Sequence, residues 1–163
     1  MSMQPVKVGP GQESVWDYPR PPRLEPSSRL IRVLFAGQAI AETSHAYRVL
    51  ETSHPPTWYI PRNDIHMEVL NASHKFSFCE WKGSASYWTA LVGEQKAENV
   101  AWSYESPNPN FAPIKGHLAF YPSRSECYVD EELVIAQPGD FYGGWITRDI
   151  VGPFKGTPGT SGW

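Results

Sequence analysis

The chain is short of most of the residues that announce chemistry. It has two cysteines, Cys79 and Cys127, in 163 residues, and its five histidines stand singly with no H-x-x-x-H spacing. A disulfide scaffold needs more cysteines, and a structural zinc site needs about four Cys or His ligands at short paired spacing. The expectation is therefore no metal, and thiols kept free in a reducing compartment, the cytoplasm by default. No run approaches about 18 consecutive apolar residues, so no membrane-spanning helix is expected. No basic start followed by an apolar stretch marks a secretory leader. Positive charge is not in excess either: 14 Lys and Arg against 17 Asp and Glu give −3, a poor footprint for a partner held through phosphates such as nucleic acid. Also absent are the G-x-S-x-G elbow, the G-x-x-x-x-G-K-[ST] phosphate loop and the G-x-G-x-x-G fingerprint. No cofactor is expected.

What is plentiful is aromatic side chain and proline. Aromatics reach 13% of the chain, with seven Trp, which excludes a wholly disordered polymer, and 16 prolines punctuate it. Six of them fall within residues 1–28 (Pro5, Pro10, Pro19, Pro21, Pro22 and Pro26). Each removes a backbone donor and fixes φ, so this stretch reads as an extended arm that Trp16 and Tyr18 can staple to the domain. From Arg29 the pattern changes to short β-branched or aromatic runs. Strands are expected over 31–35, 39–41, 47–50, 58–60, 75–81, 86–92, 100–104, 118–121, 126–129 and 133–136. Turn residues separate them. Only 63–70 has helical character, with Ile65 and Val69 four apart. Residues 29–138 therefore form one all-β domain of facing antiparallel sheets with at most one short helix. The Gly-, Pro- and aromatic-rich 139–163 reads as a second arm, packed on its own domain or on another copy in a homodimer. A faint internal echo, RVLFAGQAIAET against CYVDEELVIAQP, marks two related hairpins.

The densest chemistry lies at Cys79-Glu80-Trp81-Lys82-Gly83. Strand alternation sets Ser77, Cys79 and Trp81 on one face and Phe76 and Phe78 on the other. The turn at Lys82-Gly83 then brings Tyr87 back opposite. A thiolate nucleophile needs a cation or base nearby to lower its pKa, a role open to Lys82 or a histidine. A free cysteine is as readily a small buried hydrophobe, and a turn lysine a solvated one. A second group is aromatic: Tyr59, Trp81, Tyr87, Trp102, Tyr104, Phe120 and Tyr121. Trp102 and Tyr104 lie two apart and share a strand face. Such rings either fill a core or cage a flat or cationic ligand. Polar company comes from Arg48, Glu51, Asp64 and Lys82. Glu51 and Asp64, if convergent on one cleft, would serve as an acid–base pair; otherwise each forms an ordinary salt bridge or cap.

Read in order, the strings RVLFAGQAIAET, VLETSHPPTWYIPRNDI, CEWKGSASYW, NVAWSYESPNP, IKGHLAFYPS and the VDEELV hairpin resemble the domain family of unknown function numbered 427. The similarity runs from about Arg32 to Pro138, and C-x-x-K-G-x-A-x-Y-W is its most specific part. The tail FYGGWITRDIVGPFKGTPGTSGW resembles an extension carried by a subset of members, bacterial and cyanobacterial in type. The resemblance implies a β-tent-like fold, two antiparallel sheets pinned at one edge, as in methionine sulfoxide reductase B, Mss4-like proteins and the thalidomide-binding domain of cereblon. Relatives of that shape carry a zinc clasp of two C-x-x-C pairs, which this sequence lacks. Some members bear a nucleotidyltransferase-like label; no Gly-Ser plus paired-aspartate pattern accompanies it here. By analogy of fold, Tyr59, Trp81, Trp102 and Tyr121 would line a cage between the sheets. The expected function is a small-molecule-binding module. The alternatives are an enzyme using Cys79 or the Glu51/Asp64 pair, and an interaction protein using its two arms.

Overall fold

The computed structural model describes residues 4–139 and 141–163, and its regular elements are strands and short 3-10 helices; no α-helix forms among the described residues. The strands in chain order are β1 (Glu13–Ser14), β2 (Arg23–Pro26), β3 (Ile31–Phe35), β4 (Gln38–Thr43), β5 (Tyr47–Leu50), β6 (Thr57–Tyr59), β7 (Leu70–Cys79) and β8 (Gly83–Val92). They continue as β9 (Gln95–Ser103), β10 (Leu118–Phe120), β11 (Glu126–Val129), β12 (Glu132–Leu133), β13 (Ile135–Ala136), β14 (Trp145–Ile146) and β15 (Ile150–Val151).

The chain is all-β, in two main layers. One is an antiparallel sheet in the order β12-β11-β3-β4. Its two hairpins turn through two residues each, Ala36-Gly37 and Asp130-Glu131, all four with positive φ. That is the tight turn whose twist matches the flanking strands. The hairpins lie side by side through β3 and β11, so the sequence echo corresponds to a repeated piece of structure.

The other layer is β10-β9-β8-β7, also antiparallel. At its β10 edge, Ile60 and Leu118 exchange two backbone hydrogen bonds of 2.8 and 3.0 Å. This joins it to the three-stranded β2-β5-β6 sheet, so a long curved layer runs from β2 to β7. The main core lies between the two layers. Ile31, Val33, Ile40, Cys127 and Val129 of the first meet Val100, Leu118, Phe120, Trp58 and Ile60 of the second, all essentially excluded from water. Phe76 and Phe78 alternate with Ser77 and Cys79, pair with Ser86 and Ser84, and are 70% and 73% exposed.

The expected short helix over 63–70 is replaced by two separate 3-10 turns, Arg62–Asp64 and Met67–Val69. The reason is local: Ile65, between them, is buried and bridges to Ala41 of β4, which holds its backbone extended. A segment this short has no intrinsic helical stability to oppose that.

Both flanking segments are woven into the domain. β2 ends at Pro26 and pairs only with β5, so the missing donor falls on a sheet edge, where proline is tolerated. β1 pairs in parallel with β15. Trp16 donates its indole N–H to Pro153 O at 2.8 Å and packs edge-on against Trp163. Tyr18 is buried and donates to Glu13.

Candidate functional site

Around β10 and the second half of β9 the curved layer is buried on both faces. On the side away from the main core, register sets Tyr87, Trp102 and Ala119 in a row across β8, β9 and β10. Tyr59, Tyr104 and Tyr121 gather around them. The small Ala85 and Ala119 belong to the same cluster. Trp102 stands edge-on to Tyr59 with centroids 6.2 Å apart and donates its indole N–H to the Tyr59 hydroxyl at 3.3 Å; Tyr121 lies 4.6 Å from Trp102. Burial pushes the Tyr59 and Tyr104 phenols well above the usual range, so both remain neutral hydroxyls.

The β7–β8 hairpin closes one side. Cys79 pairs with Gly83, leaving Glu80-Trp81-Lys82 as the loop. Asn108 clamps that loop by donating its side-chain N–H to Trp81 O at 2.8 Å and its backbone N–H to Lys82 O at 3.0 Å. The clamp turns Lys82 inward. Its side chain is only 8% exposed, and its amine lies 5.8 and 5.7 Å from the Tyr104 and Phe111 ring centroids. Among the described residues it has neither a carboxylate nor a hydrogen-bond acceptor as partner. The ring faces beside it attract a cation by about 0.5–2 kcal/mol.

The third wall comes from the C-terminal segment and the loop after β5. Gln137, buried, donates its amide to His54 Nδ1 at 3.0 Å and to Lys155 O at 2.8 Å, and accepts from Gly144 N–H at 3.1 Å. His54 Nδ1 therefore accepts, and the neutral ring carries its proton on Nε2, 3.7 Å from Glu51 Oε2. Burial first, then the positive charges of Lys155, Arg20 and Lys82, pull the His54 pKa down to about 4. The ring stacks edge-on against Tyr142 at 4.7 Å, and the Lys155 amine lies 5.5 Å from the Tyr142 centroid. Together these three walls surround a partly open hollow of about 230 Å3.

Gly143 is the point of closest approach of the roof to the platform. A Cβ there would lie 2.3 Å from Trp102 Cη2. Gly143→Val is therefore expected to displace either the roof or the Trp102 ring and to cost about 1–3 kcal/mol of stability, the range for overpacking. Urea unfolding monitored by tryptophan fluorescence checks this, and an unchanged midpoint and spectrum would refute the packing described.

Of the residues singled out from sequence, Tyr59, Trp81, Tyr87, Trp102, Tyr104 and Tyr121 line this one hollow, together with Glu51, Cys79 and Lys82. Arg48, Asp64 and Phe120 do not; Phe120 is fully buried in the main core. Arg48 alternates with Val49, so it faces the other way; it lies over Trp58 and pairs with Glu13 and Glu25. Asp64 accepts a hydrogen bond from Thr43 Oγ1 at 2.7 Å beside β4. Glu51 instead faces Arg20 at 3.4 Å. The Glu51/Asp64 acid–base pair thus has no common cleft. The sequence reading missed His54, Gln137, Tyr142 and Lys155, which line the hollow from loops; the aromatic richness of 139–163 was the one available signal. Among the described residues no three His, Cys, Asp or Glu side chains cluster closely enough to hold a metal ion.

An all-β domain with a ring-lined hollow beside a Cys-x-x-Lys-Gly hairpin is thus defined. Residues 23–132 match the family model described as a domain of unknown function (DUF427), and the chain belongs to that family. No curated protein matches it. No helix among the described residues is long and apolar enough to cross a membrane.

Proposed function

We propose that this protein binds a small molecule in the hollow roofed by Tyr142 and Gly143 and floored by Trp102 and Tyr121. The observation that carries the reading is that aromatic faces and polar groups from three remote parts of the chain border a partly open space of about 230 Å3 instead of filling it. Protein interiors normally close-pack, so a ring-lined void that reaches solvent is the default place for a ligand. The neutral phenols of Tyr59 and Tyr104, the His54 Nε2–H and the Lys82 amine supply orienting donors around an otherwise apolar floor.

Thermal-shift screening against a metabolite library tests this. At a hundredfold excess over Kd a ligand contributes about 2.7 kcal/mol, or about 5–10 °C for a chain of this size. At least one chemical class should produce such a shift, and Trp102→Ala should abolish it. A melting temperature unmoved by every compound would overturn the reading. Cys79 borders the same hollow, which favours a thiol enzyme as the second reading. A thiol inert to iodoacetamide in the folded protein would remove it.

A further inference from the structure

We infer that the occupant of the hollow is a small monocarboxylate with a flat apolar body, the carboxylate held by Lys82 and Lys155 and the body bordered by the aromatic rings that line the hollow; this rests on the reading that the hollow binds a ligand. The first ground is Lys82. More than nine-tenths buried, it borders the hollow with no acidic partner among the described residues. A neutral occupant would leave it unpaired, and a cation would add repulsion to it. The second ground is Lys155, which reaches the same space from the opposite wall and also lacks a carboxylate partner among the described residues.

The remaining charged groups limit the anion to a single negative charge. Glu51 and Glu80 border the hollow as well; Glu51 is engaged by Arg20, and Glu80 is exposed. Either repels a phosphoryl dianion about twice as strongly as a carboxylate monoanion. Among the described residues no arginine lines the space and no helix N-terminus opens onto it, so the forked donors and backbone cradles that hold phosphate are missing there. At about 230 Å3 the hollow lies below the roughly 300 Å3 at which drug-sized sites begin, which suits one or two fused rings. The rings that border the hollow, among them the half-buried Trp81 and Tyr142, supply the surface for such a body.

The test is a titration of the full chain, followed by the indole N–H signals of Trp81 and Trp102, with four probes sharing one body: 2-naphthoate, 2-naphthamide, 2-naphthylmethylamine and 2-naphthyl phosphate. Naphthoate is expected to bind at least about tenfold tighter than the amide and the amine, as a charge-assisted bond to a buried amine implies. Lys82→Met should weaken naphthoate by about tenfold and leave the amide unchanged; Lys155→Met should weaken it less. The wild-type series stands even if a variant misfolds. Amide or amine binding as tightly as naphthoate, or phosphate binding tighter, would overturn the carboxylate assignment while leaving the hollow a binding site. No change in either indole with any probe would overturn both.

Discussion

Trp145→Ala is expected to lower the unfolding free energy by about 3–5 kcal/mol, the range for truncating a fully buried large aromatic. Trp145 is 1% exposed, leans on Trp58 with centroids 6.2 Å apart, and donates its indole N–H to Phe120 O at 2.9 Å. Alanine would leave a cavity and an unpaired carbonyl in the main core. Its backbone N–H also bonds Pro56 O at 2.8 Å, and it lies two residues beyond Gly143. The ring therefore anchors the roof of the hollow to the core between the two layers. Urea unfolding gives the magnitude, and hydrogen exchange should show the amides around 144–147 losing protection first. A loss below about 1 kcal/mol would mean the roof is held by something else.

The second large effect is on acid stability. In the folded chain burial, reinforced by Lys155, Arg20 and Lys82, holds His54 at about 4, whereas an unfolded histidine titrates near about 6.5. Above that value the ring is neutral in both states and its contribution is complete. As pH falls, the unfolded chain takes up a proton that the folded chain refuses, so stability declines from about pH 6.5 until about pH 4, by about 3 kcal/mol in total. His117, also lowered by burial, adds to the decline in the same direction. Glu105, Asp130 and Asp149, held low by hydrogen bonds and neighbouring arginines, contribute only further down, below the unfolded carboxylate values of about 4. The clean window for histidine is therefore about pH 6.5 to 5. Urea midpoints of the wild type and His54→Gln, compared at pH 7 and pH 5, isolate the His54 share. The wild type should lose about 2 kcal/mol more than the variant over that interval, and parallel losses would refute the assignment.

Strand periodicity carried most of the fold and half of the site. The runs at 31–35, 47–50 and 126–129 became β3, β5 and β11 with those bounds, because β-branched residues alternate there and turn residues close both ends. β7 begins at Leu70, five residues before the expected start, because Asn71 and Ser73 face solvent on an edge strand and read as loop. The run at 133–136 divides into β12 and β13, which pair with different partners. The two-residue pieces β14 and β15 have no period to read; each exists only because a distant partner is present. The same division holds for the hollow. Its floor follows from alternation, which put Trp102 with Tyr104 and Tyr87 apart from Trp88. Its roof does not. His54, Gln137 and Lys155 meet through hydrogen bonds spanning 83 and 18 residues of chain, contacts that no local pattern encodes.

The parallel pairing of β1 with β15 sets an order of events during synthesis. Glu13 and Ser14 leave the ribosome early but have no ladder partner until Ile150 and Val151 follow. The same final stretch brings Tyr142 and Lys155, so the nascent domain can assemble its two layers while its ring platform still lies bare to solvent and chaperones. Completion of the clasp and covering of the rings thus fall together late in synthesis, and a translation product released before Tyr142 and Lys155 would leave those rings uncovered.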